Sequence, residues 1–236
     1  MKILIDIGHP AHVHYFKNMI KIMKGQGHHF CIVSRDKEVT HTLLQSYNIP
    51  YISRGKGAKG LIGKFFYLFK ADYDILKIAK KFNPDLFLSF SSPYAAQASF
   101  FLRKPHIAFT DTEHATLGNL AFSLFTKIII TPECYEKEFG NKHIKFNGYM
   151  ELNYLHPKYF TPNDSIFDYL KIDKKQQYIL IRFVSWDASH DVGKTGIDYE
   201  SKIQLVQKLS KDYKVFISSE GDLPKELEKY IIKINP

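Results

Sequence analysis

Three histidines, His9, His12 and His14, follow directly after the apolar run 2–7, where a helical pattern begins. Histidine serves both as a metal ligand and as a general base, so the spacing has to distinguish these roles. Residues two positions apart on a helix point about 200° apart around its axis, so His12 and His14 do not face one ion. His9 and His12 could share an ion, but Asp6 is the only carboxylate close to them in sequence. The pattern therefore predicts no metal site.

The turn around these histidines has two remaining interpretations. In the structural one, the segment Gly8–Pro10 shapes the turn and His14 packs against its neighbours. In the functional one, His12 lies at a helix N-terminus beyond a strand end and contacts a hydroxyl or phosphate group of a substrate. The unpaired N–H groups of the first helical turn and the positive end of the helix would favour an anion beside Gly8 and His9.

A second cluster lies in the stretch FTDTEHATLGN, which places Asp111, Glu113 and His114 at the end of a predicted strand. Asp111 or Thr112 could cap the following helix, and Glu113 could serve as a capping carboxylate. The alternative is that these side chains bind sugar or ribose hydroxyls or act in catalysis. Glu151 follows another predicted strand and is assigned to substrate binding, because ligands of such folds bind beyond the carboxyl ends of strands.

The loop SWDASHDVGKTG contains Asp187, His190 and Asp191. Its last residues resemble a phosphate-binding loop, but that pattern requires glycine at position 188, which is Ala188. Two interpretations stay open for this loop. It is a solvated connector with the turn chemistry of Asp and Gly, or it is a ligand-binding loop.

The segment 55–70 interleaves lysines with glycines and aromatic residues. Part of it belongs to the core, because Phe65, Leu68 and Phe69 share a helical face. Lysines and aromatic rings together are also typical of segments that dock on anionic membranes. We predict that residues 55–64 are exposed or mobile. The residues predicted to contact a membrane are Lys56, Lys59, Lys64, Phe65 and Phe66.

The composition is that of a globular protein: 236 residues, 44% hydrophobic and 24% charged, with a net charge of +9. The excess of lysine favours phosphate-bearing ligands or an anionic surface, or reflects a solvated face. Arginine is scarce, which argues against nucleic acid as a partner. Cys31 and Cys134 form no CxxC pair, and no apolar run is long enough to span a bilayer. We expect a cytoplasmic protein, peripheral at the inner membrane face.

Strand and helix patterns alternate along the whole chain, which predicts an α/β fold with a doubly wound parallel sheet. The first helices are predicted over 12–25, 37–47 and 65–82, between apolar runs that read as strands. Ligands of such sheets bind beyond the carboxyl ends of the strands. The candidate positions are therefore Gly8–His14, Ser91–Tyr94, Asp111–His114 and Gly148–Glu151.

The alternation weakens after about residue 155 and then resumes. We predict an N-terminal Rossmann-like domain over 1–155, a linker over 156–173 and a second Rossmann-like domain over 174–236. The second round ends with a helix over 224–230 and a strand over 231–234. It is only about half as long as an open doubly wound domain requires, so we expect this domain to be incomplete in the chain.

Four segments together resemble the domain-of-unknown-function family 354: MKILIDIGHPAHVHYFKN, DTEHA, NGYMELNYLHP and RFVSWDASHDVGKTGI. Members of this family look like GT-B-fold glycosyltransferases and nucleotide-sugar 2-epimerases. The resemblance implies an acceptor-side N-terminal domain and a donor-side C-terminal one. More distantly, PAHVHYF is similar to the loop of the transferase that adds N-acetylglucosamine to lipid-linked muropeptide, with His12 at that family's histidine. Pro10 and Ala11 replace its two glycines, and its Glu-bearing donor segment is not found before Pro236.

The resemblance implies a metal-independent glycosyltransferase for cell-surface polysaccharide or glycolipid, with a nucleotide-sugar as substrate, no cofactor and an acceptor that could be lipid-linked. His12 or Glu113 would act as general base on an acceptor hydroxyl. The loop containing His190 would stabilise the departing diphosphate. The alternatives are a UDP-sugar 2-epimerase and, in a different class, a non-catalytic protein that binds sugar nucleotides or nucleic acid. The chain alone could be an inactive fragment.

Overall fold

The computed structural model describes residues 1–58, 61–184 and 196–232, without the side chains of residues 61, 62, 64 and 65. The chain divides into two compact units, one comprising Met1–Phe160 and the other beginning at Thr161. This division falls inside the predicted linker. The exact boundaries at residues 155 and 173 stay a prediction.

The first unit alternates strands and helices from its first residues onward. Its elements are β1 (Lys2–Ile7), α1 (Pro10–Gly25), β2 (His29–Asp36), α2 (Thr40–Ser46), β3 (Ile52–Lys56), α3 (Leu61–Phe82), β4 (Leu86–Phe90), α4 (Pro93–Phe101), β5 (His106–Phe109), α5 (Thr116–Ser123), β6 (Ile128–Pro132), β7 (His143–Phe146) and α6 (Leu152–Leu155).

All seven strands of this unit are parallel and form one sheet in the order β3-β2-β1-β4-β5-β6-β7. The predicted doubly wound parallel sheet is therefore confirmed. The chain builds outward from β1 in one direction and then returns to build from β4 in the other. The strand order thus reverses between β1 and β4, which is where a doubly wound sheet opens a crevice for a ligand.

The side chains of β1 alternate between two cores, one on each face of the sheet. Ile3, Ile5 and Ile7 pack with α1 and α2, whereas Leu4 packs with α3 and α4. Each of these four side chains is at most 1% exposed. Burial on both faces stabilises the strand by about 1.5–3 kcal/mol per large aliphatic side chain. It also explains why the strand is apolar almost throughout rather than at every second position.

Asp6 interrupts this apolar strand and lies on the α3 side of the sheet, fully buried. Its carboxylate accepts a hydrogen bond from Arg54 Nε on β3 at 3.0 Å and another from Ser92 Oγ before α4 at 2.5 Å. Arg54 also donates to the hydroxyl of Tyr67 and lies 4.9 Å from the ring centre of Tyr94. The buried ion pair of Asp6 and Arg54 thus connects β1, β3, α3 and α4.

Buried hydrogen bonds continue from Ser92 across the sheet to β5. The Ser92 N–H donates to Ser89 Oγ at 3.2 Å, and Ser89 Oγ lies 2.9 Å from His106 Nε2. His106 Nδ1 is 2.8 Å from Thr126 Oγ1, which itself donates to the carbonyl of Phe122. The Thr126 hydroxyl proton is therefore used, so Nδ1 carries the imidazole proton and Nε2 accepts from Ser89. Burial lowers the pKa of His106 to about 3, which keeps the ring neutral.

Two helices begin earlier than the sequence pattern predicts. Helix α1 begins at Pro10 rather than residue 12, because the Nδ1 atom of His9 accepts the N–H of Ala11 and caps the helix. Helix α3 begins at Leu61 rather than residue 65 and includes Gly63 in its first turn. A glycine costs about 1 kcal/mol in a helix relative to alanine, which is not enough to end it. Helix α1 ends before Gly27, whose φ of 84° a glycine adopts without strain.

The second unit contains α7 (Ser165–Leu170), β8 (Tyr178–Phe183), α8 (Tyr199–Leu209) and β9 (Lys214–Ser219). Strands β8 and β9 are parallel, and a small core forms around Val206 and Ile217. The predicted helix over 224–230 is instead a 3-10 helix, Lys225–Tyr230. At the predicted final strand, Ile231 makes an isolated parallel bridge to Ile217.

We predict that His106→Ala lowers the free energy of unfolding by about 2–4 kcal/mol, because it leaves Ser89 without its acceptor and opens a cavity. The wild-type protein should lose stability as the pH falls from about 6.5 to about 3. Over that range the unfolded chain binds a proton at residue 106 that the folded protein cannot accept. Chemical denaturation at several pH values measures both effects.

The matched control for this prediction is His29→Ala, which removes an exposed histidine from β2. It should change the stability by less than about 0.5 kcal/mol. Equal losses in the two variants would contradict the role of the buried hydrogen bonds.

A second prediction concerns Asp72 on α3, whose buried Oδ1 atom has no hydrogen-bond partner among the described residues. Burial raises its pKa to about 6, with Arg54 partly opposing and Asp6 adding to the rise. Its charged form is therefore disfavoured in the folded protein. We expect Asp72→Asn to stabilise the protein by about 1 kcal/mol above pH 6, and this gain should vanish towards pH 4.

Denaturation curves measured at about pH 8 and about pH 4.5 test this prediction. Asp74→Asn is the control, since it removes only a surface ion pair with Lys70 and should cost a few tenths of a kcal/mol at either pH. A loss of stability in Asp72→Asn at the higher pH would show that the carboxylate has a stabilising partner.

Candidate functional site

The crevice between β1 and β4 is bordered by two loops. After β1, Gly8 and His9 lead directly into α1; after β4, Ser91 and Ser92 lead into α4. Ser91 has a φ of 51°, a left-handed conformation that costs energy for a residue other than glycine. Its N–H donates to the carbonyl of Phe109 at 2.9 Å, which fixes this loop to β5. The crevice therefore has a rigid wall on the β4 side.

The first turn of α1 differs from one expectation. His9 accepts the N–H of Ala11 with its side chain at 3.2 Å and the N–H of His12 with its carbonyl at 3.1 Å. Pro10 carries no N–H group. The expectation that the first N–H groups of this helix lack partners is therefore wrong for these residues, because His9 satisfies both. Any attraction of an anion to this end depends instead on the helix dipole and side chains.

His12 lies beside the β1–β4 junction, against the end of β4, and is partly buried. Its ring is 4.8 Å from that of Phe90 at the end of β4 and 5.9 Å from that of His9. Burial, followed by the positive potential of His9, Lys37 and Arg54, lowers its pKa to about 3. The ring is thus neutral over the physiological pH range.

The protonation of the two ring nitrogens of His12 follows from its contact with the backbone. Gly8 N–H donates to Nδ1 at 3.3 Å, so Nδ1 is an acceptor and the proton resides on Nε2. Among the described residues, the hydrogen bond to this ring comes from Gly8 and is made at Nδ1 rather than Nε2. In this tautomer His12 can donate to a ligand oxygen. To act as a base through Nε2, the ring would have to exchange its tautomer.

Tyr15, one turn further along α1, extends the crevice towards acidic residues. Its ring stacks on that of His12 at 6.3 Å and lies 6.1 Å from that of Tyr154. Burial raises the pKa of its hydroxyl, and the nearby carboxylates of Asp111 and Glu151 add to this. Two predicted binding residues are thus brought together beside α1.

A cavity of about 230 Å³ opens between the ends of β5 and β6 and the start of α6. Partial burial and the neighbouring charge of Glu151 raise the pKa of Asp111, while a hydrogen bond from Thr112 opposes the rise. Carboxylates accept hydrogen bonds from sugar hydroxyls and repel phosphate groups. The cavity is therefore suited to a neutral polyol. It is lined by Asp111, Glu113, Pro132, Cys134, Tyr135, Tyr149, Met150 and Glu151.

Glu113 and His114 precede α5 and have different surroundings. Glu113 Oε1 accepts the N–H of Glu136 at 2.7 Å, and Lys137 donates to the Glu113 carbonyl at 2.9 Å. These contacts hold the carboxylate at the cavity wall but do not make it a helix cap, since the side chain bonds to a turn after β6. His114 is exposed.

The remaining predicted residues fall outside the crevice or outside the described chain. His14 packs between Tyr47 and Tyr154, at 5.8 and 5.2 Å between ring centres. Lys56 is exposed at the end of β3, and Phe66 is exposed on α3. The positions outside the described residues are Asp187, His190, Asp191 and Lys59, together with the side chains of Lys64 and Phe65.

Sequence reasoning missed Asp6 and Arg54 as the floor of the crevice. A Cβ atom on Gly8 would lie 3.8 Å from Arg54 Nη2 and 3.9 Å from His12 Cε1, so the ion pair lies just below the Gly8 turn. The sequence offered one signal for this pair, namely a charged residue within each of two strands, Asp6 in β1 and Arg54 in β3. Within the described residues no group of three or more His, Cys, Asp or Glu could hold a metal ion, and no helix is long and apolar enough to cross a membrane.

Comparison with solved structures shows which fold this is. The chain matches the UDP-GlcNAc 2-epimerase of Neisseria meningitidis bound to UDP-GlcNAc with a TM-score of 0.69 and 13% identity, covering 100% of this chain and 73% of that one. It matches the MurG of Acinetobacter baumannii with a TM-score of 0.54 and 14% identity, covering 95% and 68%. At these identities the likeness shows the fold alone, the GT-B-like fold of epimerases and glycosyltransferases.

Sequence comparison adds a relative and a family. The uncharacterized protein MJ0665 of Methanocaldococcus jannaschii is 26% identical over 190 residues, which cover 77% of this chain but only 56% of that protein. The chain therefore spans little more than half the length of this relative. The model of the family described as "Protein of unknown function (DUF354)" matches residues 1–226. The chain thus belongs to the DUF354 family.

Proposed function

We propose that the protein acts on a nucleotide-sugar, as a metal-independent glycosyltransferase that serves cell-surface polysaccharide or glycolipid synthesis. The observation that carries this proposal is the position of His12, a neutral hydrogen-bond donor after β1. Its ring stacks on that of Tyr15, whose hydroxyl in turn lies near the carboxylates of Asp111 and Glu151. A cationic or neutral donor suits a phosphate or carbonyl oxygen, whereas an acidic cavity suits sugar hydroxyls. These two kinds of group, connected through Tyr15, suit a ligand that has both a phosphate and sugar hydroxyls.

The general base is proposed to be His12 or Glu113. The Gly8 contact favours the carboxylate, because it leaves the proton on Nε2 of His12. Glu113 lines the acidic cavity, and the Glu136 N–H holds its Oε1 in place. His12 then serves as a hydrogen-bond donor that positions the sugar or the diphosphate. We propose that the loop containing His190 stabilises the departing diphosphate.

A UDP-sugar 2-epimerase is the alternative enzyme, and the epimerase fold of the neighbours is consistent with it. Both reactions take a nucleotide-sugar, but an epimerase needs no acceptor. A non-catalytic sugar-nucleotide or nucleic-acid binding protein remains the alternative of another class. The acceptor of a transferase is proposed to be lipid-linked and presented at an anionic membrane.

Binding of nucleotide-sugars by the full-length protein tests the proposed function. We expect one UDP-sugar of a panel to raise the melting temperature, since a ligand at about 100 times its Kd stabilises the folded state by about 2.7 kcal/mol. If NMR shows that the protein converts this sugar to its 2-epimer in the absence of an acceptor, the enzyme is an epimerase. Stabilisation by duplex DNA but by no nucleotide-sugar would contradict the proposal.

Substitution of His12 tests its role as a donor rather than a base. His12→Ala should lower turnover of the full-length enzyme by about 100-fold. It should also lower stability by roughly 1–2 kcal/mol, because the ring packs against Phe90 and Tyr15. His12→Gln, which keeps an N–H donor but has no basic nitrogen, should recover much of the lost turnover. The control His14→Ala should reduce stability through lost packing with Tyr47 and Tyr154 and leave turnover largely unchanged.

The pH dependence of kcat/KM gives an independent readout of this role. Because the pKa of His12 is about 3, its titration should not produce a limb of the pH profile between about pH 5 and pH 8. An acidic limb in that range that disappears in His12→Gln would show that His12 acts as the base.

A further inference from the structure

Helix α5 exposes an apolar ridge. Leu117 and Leu120 on α5 and Leu124, the C-cap residue directly after it, follow the spacing i, i+3 and i+7, so they lie on one side of the helix. Each is more than half exposed. The opposite side buries Phe122 completely, together with Ser123. Helix α5 carries no charged residue. Packing within this unit does not explain why these three leucines are exposed on one side.

The two neighbouring helices have exposed apolar residues as well. Phe66, Phe69 and Tyr73 repeat the same spacing along α3, and Phe100 and Phe101 lie at the end of α4. The sequence pattern predicts Phe69 in the core, but it lies on the side of α3 opposite the buried Ala71 and Ile75 and is exposed. Helix α3 packs on α4 and α4 on α5, on the same face of the sheet. These three helices form what we call the α3–α5 layer.

The exposed apolar side chains of this layer are spread over three adjacent helices. The eight side chains are between 53% and 83% exposed and together present on the order of 1,000 Å². The largest apolar patch on a typical monomer measures roughly 300–600 Å², and larger patches mark docking surfaces. Exposed apolar area on this scale favours a docking surface.

Helix α3 carries more lysines than acidic residues, the latter being Asp72 and Asp74. Lys70, Lys77 and Lys80 lie on the same stripe of α3 as its aromatic residues. Arg103 and Lys127 follow the ends of α4 and α5. The acidic Asp74 is paired with Lys70 at 2.5 Å. Two copies of this chain docked through the layer would bring lysines together, whereas an anionic bilayer would complement both the cations and the apolar side chains.

We infer that the α3–α5 layer docks on an anionic membrane, with the leucines of α5 and the aromatic residues of α3 and α4 entering the interface and the lysines contacting lipid phosphates. Of the membrane contacts predicted from the sequence, only Phe66 is among the eight exposed side chains of this layer. The inference rests on the proposed function only for its biological purpose, because docking needs no nucleotide-sugar. Failure of one is therefore distinguishable from failure of the other.

The test is sedimentation of the full chain, without nucleotide-sugar, with vesicles of equal parts phosphatidylglycerol and phosphatidylcholine, and with vesicles of phosphatidylcholine alone. Binding should be strong only to the first kind and should weaken with salt. The triple variant Leu117→Gln, Leu120→Gln, Leu124→Gln should reduce binding by about 10-fold or more. These side chains are exposed, so circular dichroism should show an unchanged fold.

Matched variants on the other face of the sheet serve as controls. Lys21→Gln with Lys24→Gln on α1 should bind as the wild type does, whereas Lys77→Gln with Lys80→Gln on α3 should bind several-fold more weakly despite the same change in net charge. Equal effects of the two pairs, or unchanged binding by the leucine variant, would overturn the inference. The inference would also be overturned if light scattering without lipid showed a dimer and the leucine variant were a monomer.

Discussion

The buried ion pair between Asp6 and Arg54 is the interaction on which the rest of the first unit depends. It joins the central strand β1 to β3 and, through Ser92, to the start of α4. Isolated charges in such a position would be strongly destabilising, and loss of one partner of a buried pair typically costs about 3–5 kcal/mol. The two strands and the helix are thus fixed relative to one another directly below the Gly8 turn, where the crevice opens.

The hydrogen bonds that leave this ion pair have a defined direction. Ser92 donates its hydroxyl proton to Asp6 and its N–H to Ser89, and Ser89 donates to the neutral His106. Every proton has one acceptor, so the network has a single arrangement rather than several of similar energy. A rigid floor of this kind holds His12 and the Ser91 loop at constant positions, which is what precise binding of a ligand requires.

Sequence periodicity predicted the elements of the sheet well, because strands buried on both faces leave long apolar runs. It was wrong at helix starts, where the outcome depends on single contacts: histidine is not a usual N-cap, yet His9 caps α1. The strand-end rule predicts His12, Asp111 and Glu151 as binding residues, and the structure brings the last two together beside Tyr15. It could not reveal that Asp6 pairs with Arg54, since the two are 48 positions apart and only the register of three strands brings them together.

The division of helices between the two faces of the sheet has a geometric consequence. Helix α1 covers one face and the α3–α5 layer the other, while the crevice opens at the edge between them. A bilayer against the α3–α5 layer would run parallel to the sheet, one helix diameter, or about 10 Å, below it. The crevice would then face sideways along the lipid surface. An acceptor would have to extend its reactive group about that far from the headgroups while its lipid tail stayed in the bilayer.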